Sequence, residues 1–218
     1  MDLTLTPMQV AGEQVFIGLL HDISHRKLYE SSLERAALVD PLTRIANRRH
    51  FDNFLEQEWQ RAVRSTEPLS LLVLDVDHFK LYNDALGHAA GDSALRAVAG
   101  VLQAHAMRPA DLAARYGGEE FAVLFGETGA DAARTLGESI RAAIEALELP
   151  NPKSPTSQWI TASIGVSSIV PNQLDDVAKF FVGADRAMYA AKEAGRNGVM
   201  AVNAGTSTWG ALKAMVTL

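Results

Sequence analysis

The spacing of apolar and polar residues predicts alternating helices and strands after residue 40. Apolar positions recur with helical spacing in several segments, and short continuous apolar runs are typical of buried strands. The predicted elements are helix 48–63, strand 69–76, helix 92–106, strands 112–116 and 121–125, helix 130–147, strand 159–168, helix 175–193 and strand 198–202. Helices interspersed with strands predict an α/β (α+β) sandwich, in which helices flank a central mixed sheet.

The first 40 residues follow a different pattern. Loose alternation over residues 3–20, interrupted by Ala11-Gly12-Glu13, predicts a β-hairpin. Because an isolated hairpin is marginally stable in water, we expect residues 1–24 to be the end of a domain whose remainder is missing. Residues 25–40 predict a polar linker helix that pairs with its copy in a dimer and stops at Pro41. Residues 204–218 show no clear pattern and are left unassigned.

Composition narrows the class of protein. With 218 residues and 48% hydrophobic content, the chain can bury the core of one domain with a short appendage. Its apolar runs are too short to span a bilayer, and it has no secretory signal. The absence of cysteine excludes disulfides and fits a reducing compartment, so we expect a cytoplasmic protein. The formal charge of −6 argues against a nucleic-acid-binding protein, but it allows one small phosphorylated ligand.

Four carboxylates stand where the pattern predicts two strand ends. Asp75 and Asp77 finish an apolar strand, and Glu119 and Glu120 follow the glycines of the sequence RYGGEEF. Ligand sites of open α/β sheets commonly lie at such strand ends. If the hairpin lies beside the strand, the acids converge and raise one another's pKa, which a divalent cation such as Mg²⁺ would relieve. Alternatively, Asp77 caps the following segment and the two glutamates belong to a solvated turn.

The segment 78–92 is predicted to be a loop, and it carries Lys80, Asn83, His88 and Asp92. A carboxylate can accept hydrogen bonds from the N1–H and N2–H₂ edge of guanine, whereas adenine lacks both of these donors. An asparagine can add one donor and one acceptor. The alternative is that Asp92 serves as the N-cap of the next helix.

Two pairs of charged residues complete the candidate chemistry. Lys192 and Arg196 are four residues apart near a helix end, so both could face one anion. Alternatively, they complement the helix dipole, with Gly195 as the C′ residue. Arg108 and Asp111 precede the first hairpin strand, and their simplest interpretation is a loop ion pair.

Together these segments resemble the GGDEF domain, the catalytic domain of diguanylate cyclases. The resemblance rests on five motifs that follow the family's order across residues 40–200, and it predicts that the domain spans residues 41–203. The motifs are DPLTRIANRR (40–49), LDVDHFKLYND (74–84), GHAAGD (87–92), RYGGEEF (115–121) and DRAMYAAKEAGRN (185–197). The family fold is similar to the palm of class III nucleotidyl cyclases and polymerases. Residues 1–24 resemble the last hairpin and exit of a PAS sensor domain.

The resemblance implies the following residue roles. Mg²⁺, with Mn²⁺ as an alternative, would be held by Asp75, the carbonyl of Val76 and Glu119. Catalysis would involve Glu119, Glu120 and Lys80. The residues that would contact GTP are Lys80, Asn83, His88, Asp92, Gly117, Gly118, Lys192 and Arg196. The glycines of the turn are expected to make the hairpin tight and to leave room for the nucleotide.

The implied reaction joins two GTP into cyclic di-GMP and releases two pyrophosphates. It needs a homodimer, and Arg108 and Asp111 match the family's RxxD site, where the product binds and inhibits. Two alternatives are a catalytically silent GGDEF domain that binds GTP or cyclic di-GMP, and cyclisation of ATP, which Asn83 and Asp92 disfavour. Arg44 stands where the family usually has glycine, which we expect to alter how the linker helix meets the domain.

Overall fold

The computed structural model describes residues 2–10, 13–21 and 38–203. It divides into two units, residues 1–38 and residues 39–218. In the first unit, β1 (Asp2–Val10) and β2 (Glu13–His21) pair antiparallel as the predicted hairpin. Most of the predicted linker helix over 25–40, and all of the tail 204–218, lie outside the described residues.

The second unit contains five described helices and six strands. They are β3 (Ala46–Asn47), α1 (Arg48–Ser65), β4 (Leu69–Val76), α2 (Phe79–Leu86), α3 (His88–His105), β5 (Asp111–Gly117), β6 (Glu120–Gly126), α4 (Ala130–Glu145), β7 (Ala162–Ile169), α5 (Val177–Glu193) and β8 (Val199–Asn203). The strands form one sheet in the order β3-β5-β6-β4-β7-β8. Its outer pairs are parallel and its central pairs antiparallel, which confirms the predicted mixed sheet.

Strand β4 lies near the middle of this sheet, and this position explains why its sequence is continuously apolar. Leu72 and Leu74 pack into a core under α2, α3 and α4, whereas Leu71 and Val73 pack into a second core under α1 and α5. Since successive side chains of a strand point to opposite faces, a strand covered by helices on both faces must be apolar at nearly every position. The polar residues at its end are therefore an exception that calls for an explanation.

The predicted loop over residues 78–92 is wrong, because this segment is helical. It forms α2 and the start of α3, separated by Gly87, which has a φ of 85°. Phe79 and Tyr82, three residues apart, bury one face of the two-turn helix and stack on each other. The polar and small residues between them conceal this short periodicity. Asp92 lies inside α3 and is not its N-cap, since Gly87 occupies that position.

The first turn of the domain contains Arg44, where the resemblance implies a glycine. Arg44 has a φ of 64°, in the left-handed region that glycine adopts readily and other residues adopt at a steric cost. The turn is closed by hydrogen bonds from the Arg44 amide to the Asp40 carbonyl and from the Asp40 amide to the Ile45 carbonyl, each 2.9 Å long. A glycine, the residue that the resemblance implies here, would adopt this φ without the steric cost.

Replacing Arg44 with glycine is expected to raise the free energy of unfolding by up to about 1 kcal/mol. The reason is that relief of left-handed strain, about 1–2 kcal/mol, exceeds the added entropy of the unfolded chain, about 0.5–1 kcal/mol. Urea denaturation of the whole chain measures the change. Arg134→Gly, at an exposed position within α4, is the control and should lower stability by about 1 kcal/mol. A loss of stability in Arg44→Gly would contradict the strain at this turn.

Candidate functional site

The end of β4 and the tip of the β5–β6 hairpin lie side by side. Strand β6 pairs antiparallel with β4, and its register places Glu120 opposite Asp75. Residues directly opposite each other in an antiparallel pair project from the same face of the sheet. Beyond the ladder, the Val76 amide donates to the Glu119 carbonyl across 3.3 Å. The expected convergence of acids from two parts of the chain is thus present in the fold.

The hairpin turn itself differs from the predicted one. Gly117 ends β5 and Glu120 begins β6, so the turn consists of Gly118 and Glu119. Neither Gly117 nor Gly118 adopts a left-handed φ, so the turn does not require glycine for its backbone conformation. A Cβ added to Gly118 would meet no atom within 4 Å. What the glycine at 118 provides is open space beside the turn.

A surface cleft of about 430 Å³ opens between this turn and helices α2 and α3. It brings together six of the residues singled out from the sequence: Lys80, Asn83, His88, Asp92, Gly118 and Glu119. Four further residues line it, namely Phe79, Asp84, Leu95 and Arg115. The cleft therefore joins hydrogen-bonding groups from two helices to the acidic hairpin turn.

Asn83 and Gly91 face each other across the α2–α3 corner. The Oδ1 atom of Asn83 is buried and has no hydrogen-bond partner among the described residues. A Cβ at Gly91 would collide with this oxygen and would also crowd the Phe79 ring. Gly91 is thus required for the close approach of α3 to α2. This residue belongs to the motif GHAAGD, but the spacing of apolar and polar residues does not reveal its packing role.

Asp75 is paired with a lysine from α5. Its Oδ2 lies 2.8 Å from Lys192 Nζ, and the two side chains are only 13% and 24% exposed. Burial raises the pKa of Asp75 above its ordinary value, and Asp77 adds to this, while Lys192 and Arg196 act in the opposite direction. The net upward shift means that the charged carboxylate is incompletely compensated, so a further cation would stabilise it.

Asp77 does not cap the following helix, so that alternative is wrong. His78 occupies the N-cap position of α2 without a side-chain cap. Asp77 is instead 1% exposed and accepts hydrogen bonds from the hydroxyls of Thr161 and Ser163, at 2.8 and 2.7 Å, and from the Asn197 amide at 3.0 Å. The Asp77 carboxylate therefore connects the end of β4 to the region of β7 and to the segment after α5.

The donors at the end of β4 fit a hard divalent cation. Among residues 2–10, 13–21 and 38–203, no group of three or more His, Cys, Asp or Glu side chains is arranged to hold a metal. Mg²⁺, however, is usually bound by one or two carboxylates together with phosphate oxygens of a substrate. The incompletely compensated Asp75, the neighbouring backbone of Val76 and the carboxylate of Glu119 supply oxygen ligands of that kind.

Arg108 and Asp111 lie in a different cleft, of about 530 Å³, between β5 and α4. The Arg108 guanidinium donates to both carboxylate oxygens of Asp111, at 2.9 and 3.1 Å, and to the Thr128 hydroxyl at 2.8 Å. Asp111 is 2% exposed and Arg108 is 52% exposed. The predicted ion pair therefore exists, but Asp111 is the first residue of β5 and does not belong to a loop. The arginine side chain remains half exposed to solvent.

Arg115 also lines the cleft and was not selected from the sequence. Its guanidinium donates to the Gly118 carbonyl at 2.7 and 2.9 Å, and it pairs with Asp40 at 3.3 Å. It therefore connects the hairpin turn to the first turn of the domain. Its position in RYGGEEF, directly before the acidic turn, is the signal that could have indicated this role.

Comparison with known proteins identifies this arrangement. A family model described as "Diguanylate cyclase, GGDEF domain" matches residues 37–198. The diguanylate cyclase DgcP of Pseudomonas aeruginosa is 44% identical over 200 residues, which cover 87% of this chain and 29% of DgcP. DgcM of Escherichia coli is 37% identical over 196 residues, which cover 89% of this chain and 46% of DgcM.

A solved structure shares the fold. The coiled coil and GGDEF domain of DgcB from Caulobacter crescentus, in complex with c-di-GMP, superposes with a TM-score of 0.74 at 34% identity, covering 83% of this chain and 93% of that one. The fold and the site thus define an α/β domain with a polar cleft at its central strand end. The chain belongs to the GGDEF domain family of diguanylate cyclases.

The family match covers part of this chain and part of each relative. The chain spans 29% and 46% of the length of the two curated relatives, so they contain much that it does not share. The family match begins at residue 37, so the hairpin β1–β2 lies outside it, and its resemblance to a PAS domain stays a prediction. In the described part of the chain, no helix has the length and apolarity needed to cross a membrane.

Proposed function

We propose that this chain is a diguanylate cyclase that converts two GTP into cyclic di-GMP and two pyrophosphates. The observation that carries the proposal is a single cleft in which Asn83 and Asp92 share the lining with Glu119, next to Asp75 at the end of β4. A base-recognising group and an acidic, cation-requiring group are thus adjacent. That is the arrangement needed to hold a nucleotide and act on its ribose and phosphates.

The guanine is recognised by Asn83 and Asp92, with His88 beside them. The Asp92 carboxylate accepts from the N1–H and N2–H₂ edge, and the amide of Asn83, which lines the same cleft, adds a donor and an acceptor. Adenine has no amino group at C2 and an acceptor at N1, so it leaves the carboxylate without partners. Unpaired buried polar groups are costly, which favours GTP over ATP.

The triphosphate is neutralised by Lys80, Lys192 and Arg196. Lys80 lines the cleft, and Lys192 already contacts Asp75. An anionic substrate competes with Asp75 for the ammonium group of Lys192, so nucleotide binding leaves Asp75 in greater need of another cation. Open space at Gly118 lets phosphates approach the hairpin backbone.

The reaction is two successive displacements at phosphorus. The ribose 3′-oxygen of one GTP attacks the α-phosphorus of the other, a new P–O bond forms, and the bond to the β-phosphate oxygen breaks to release pyrophosphate. Glu119 or Glu120 takes the proton of the 3′-hydroxyl as the oxygen attacks. The same exchange with the roles of the nucleotides reversed closes the ring.

Mg²⁺, or Mn²⁺ in its place, would be held by Asp75, the Val76 carbonyl and Glu119. When bound, the cation supplies Lewis-acid stabilisation of the charge that develops on the α-phosphate and on the leaving group. The protein's own contribution is to keep these oxygens at the strand end by the β4–β6 pairing and the Val76–Glu119 hydrogen bond.

The proposed active form is a homodimer. One cleft holds one GTP, and each nucleotide must present its 3′-oxygen to the α-phosphorus of the other. Two copies of the domain therefore have to face each other with their clefts opposed. Activity per chain should rise with protein concentration, which an assay over a dilution series combined with a sizing measurement would check.

The second candidate function is a catalytically silent domain that binds GTP or cyclic di-GMP and acts through a partner. Incubation with Mg²⁺ and GTP, followed by chromatographic detection of cyclic di-GMP, separates the two. Product from GTP and none from ATP supports the cyclase. Binding of GTP without product, even at high protein concentration, would favour the silent receptor.

Replacing Arg108 with alanine is expected to relieve inhibition by cyclic di-GMP, raising the concentration for half inhibition by at least about tenfold. Arg108 and Asp111 match the RxxD pattern, and the half-exposed guanidinium can leave Thr128 to bind an anionic ligand. Initial rates at increasing cyclic di-GMP measure the effect. Arg64→Ala, at the exposed end of α1, is the matched control. An unchanged inhibition curve in Arg108→Ala would reduce the pair to a structural role.

The hairpin β1–β2 is proposed to be the end of a sensor domain. Its two nine-residue strands pair along their whole length, and they lie before the family match. A sensor ending here would pass its signal to the cyclase through residues 25–40.

A further inference from the structure

The segment that follows α5 has an unusual backbone. Gly195, Arg196 and Asn197 have φ values of 116°, 66° and 44°, so three successive residues lie at positive φ. Glycine adopts such angles without penalty and asparagine tolerates them, but for arginine they are sterically unfavourable. Consecutive strained residues persist only when the surrounding structure holds them.

Asn197 is held on its backbone and on both ends of its side chain. Its amide N–H donates to Asp77 Oδ2 at 3.0 Å, and its Nδ2 donates to Glu145 Oε1 at 3.0 Å. Its Oδ1 accepts from Arg141 Nη1 at 2.9 Å. Arg141 and Glu145 are themselves joined at 2.8 Å, so α4 presents a preformed donor–acceptor pair to the asparagine. We call Asp77, Arg141, Glu145 and Asn197 the Asn197 latch.

The latch is anchored in the sheet. Asp77 is buried at the end of β4, and two hydroxyls from the region of β7 complete its hydrogen bonding. The carbonyl of Gly198, directly after the turn, accepts from the Ile164 amide at 2.9 Å. The turn is therefore tied to β4, α4 and β7, and its position is set by elements that also frame the acidic end of β4.

Arg196 is the residue that this turn presents. The next residue, Asn197, donates its amide to Asp77, which directly follows β4, so the turn places the backbone of Arg196 beside this strand end. The side chain of Arg196 is exposed, so packing does not fix its position. Its amide donates to the Ala191 carbonyl at 3.0 Å, so the end of α5 and the latch together set the backbone from which the side chain extends.

We propose that Asn197 is a positioning residue that, through the latch, holds Arg196 in the left-handed turn from which it binds the nucleotide triphosphate. This inference rests on the proposed function, in which Arg196 neutralises phosphate. Because the energy between charges falls with their separation, a turn that relaxes to another backbone conformation weakens phosphate binding. Recognition of the guanine, on α2 and α3, is not affected.

The experiment compares a nucleotide with and without phosphates. Calorimetry in the presence of Mg²⁺ measures the affinity for guanosine and for 3′-deoxy-GTP, which lacks the attacking hydroxyl. Steady-state assays measure KM and kcat for GTP. The variants are Asn197→Ala, Asn197→Gly and Asn197→Asp. Asn197→Gly accepts the positive φ without strain but loses both side-chain bonds, so it serves if the alanine variant fails to fold. Asn172→Ala, an exposed loop asparagine bonded within its own turn, is the matched control.

The aspartate variant allows a rescue. Asn197→Asp keeps the tolerance for left-handed angles but places a carboxylate oxygen against Glu145. Glu145→Gln alone offers one amide oxygen to two donors, Arg141 Nη1 and Asn197 Nδ2, so it should lose one of these hydrogen bonds and bind 3′-deoxy-GTP more weakly. The double variant Asn197→Asp, Glu145→Gln restores a donor facing an acceptor, so it should recover affinity to within about threefold of the wild type. A merely destabilising substitution would not be rescued in this specific way.

We expect the single Asn197 variants to weaken 3′-deoxy-GTP binding and to raise KM about tenfold, the equivalent of one lost hydrogen bond, with guanosine affinity unchanged. Equal losses for both ligands, no loss for either, or no rescue in the double variant would overturn the proposal. Arg196→Ala separates it from the proposed function. If Arg196→Ala weakens 3′-deoxy-GTP but the Asn197 variants do not, only the latch is wrong. If Arg196→Ala has no effect, the phosphate assignment itself fails.

Discussion

Replacing Glu119 with glutamine is expected to abolish formation of cyclic di-GMP, lowering the rate by roughly 10³-fold. Glu119 belongs to the hairpin turn, lines the cleft between this turn and α2 and α3, and accepts a hydrogen bond at its carbonyl from the Val76 amide. Its substitution removes one negative charge from the proposed cation site while leaving the size of the side chain unchanged. The groups proposed to recognise guanine are retained, so calorimetry should show that GTP still binds. Activity with Mg²⁺ and GTP is the measurement.

Two controls make the result specific. Glu67→Gln, at an exposed position before β4, should keep wild-type activity. Glu120→Gln, on the strand position opposite Asp75, tests how the two acids divide their roles. Loss of a metal ligand should shift the Mg²⁺ dependence to higher concentration, whereas loss of a proton acceptor should lower the maximal rate without such a shift. Undiminished product from Glu119→Gln would refute its assignment to the site.

Replacing Gly165 with alanine is expected to cost about 3 kcal/mol or more in the free energy of unfolding. Gly165 lies in β7, where α5 packs directly on the strand. A Cβ at this position would collide with backbone atoms of Ala184, Ala187 and Met188, and backbone cannot rotate away as a side chain can. The helix would have to move as a whole, and Lys192 would move with it. We therefore expect lost activity together with lost stability.

Gly100→Ala is the matched control for this substitution. Gly100 lies on the exposed face of α3, and a Cβ there would meet nothing within 4 Å. Alanine in a helix interior is favoured over glycine, so this variant should gain about 0.5–1 kcal/mol. Urea denaturation of both variants checks the contrast. Gly165→Ala with wild-type stability would mean that α5 does not lie this close to the sheet.

Much of the architecture was predictable because its causes are local. The sequence LSLLVL identifies a strand covered on both faces, and the glycines before Glu119 identify a hairpin. The short helix α2 was not predictable from periodicity, since two turns provide only Phe79 and Tyr82 as buried positions among polar and small residues. Although segment 78–92 was predicted to be a loop, Lys80, Asn83 and His88 were still selected, because their side-chain chemistry and not their conformation identified them.

The two aspartates at the end of β4 have different surroundings that the sequence does not predict. Both were plausible ligands or caps from their position after an apolar run. The tertiary structure gives Asp75 to Lys192 and leaves it partly uncompensated, while it buries Asp77 under hydroxyls and an amide. The difference arises because Asp75 is still inside β4, opposite Glu120, whereas Asp77 lies beyond the last residue of the strand. There it meets hydroxyls from the region of β7 and the amide of Asn197.

Residue types and their spacing predicted the order of the longer helices and strands, the acids and cations available for chemistry, and membership in a catalytic family. Each depends on residue type and on spacing within a few turns or a short motif. Which of these residues meet depends on the folded chain. Asp77 bonds Ser163 and Asn197, which lie 86 and 120 positions further along the chain. Such contacts follow from the order of strands in the sheet and from the packing of α4 and α5, which local periodicity does not encode.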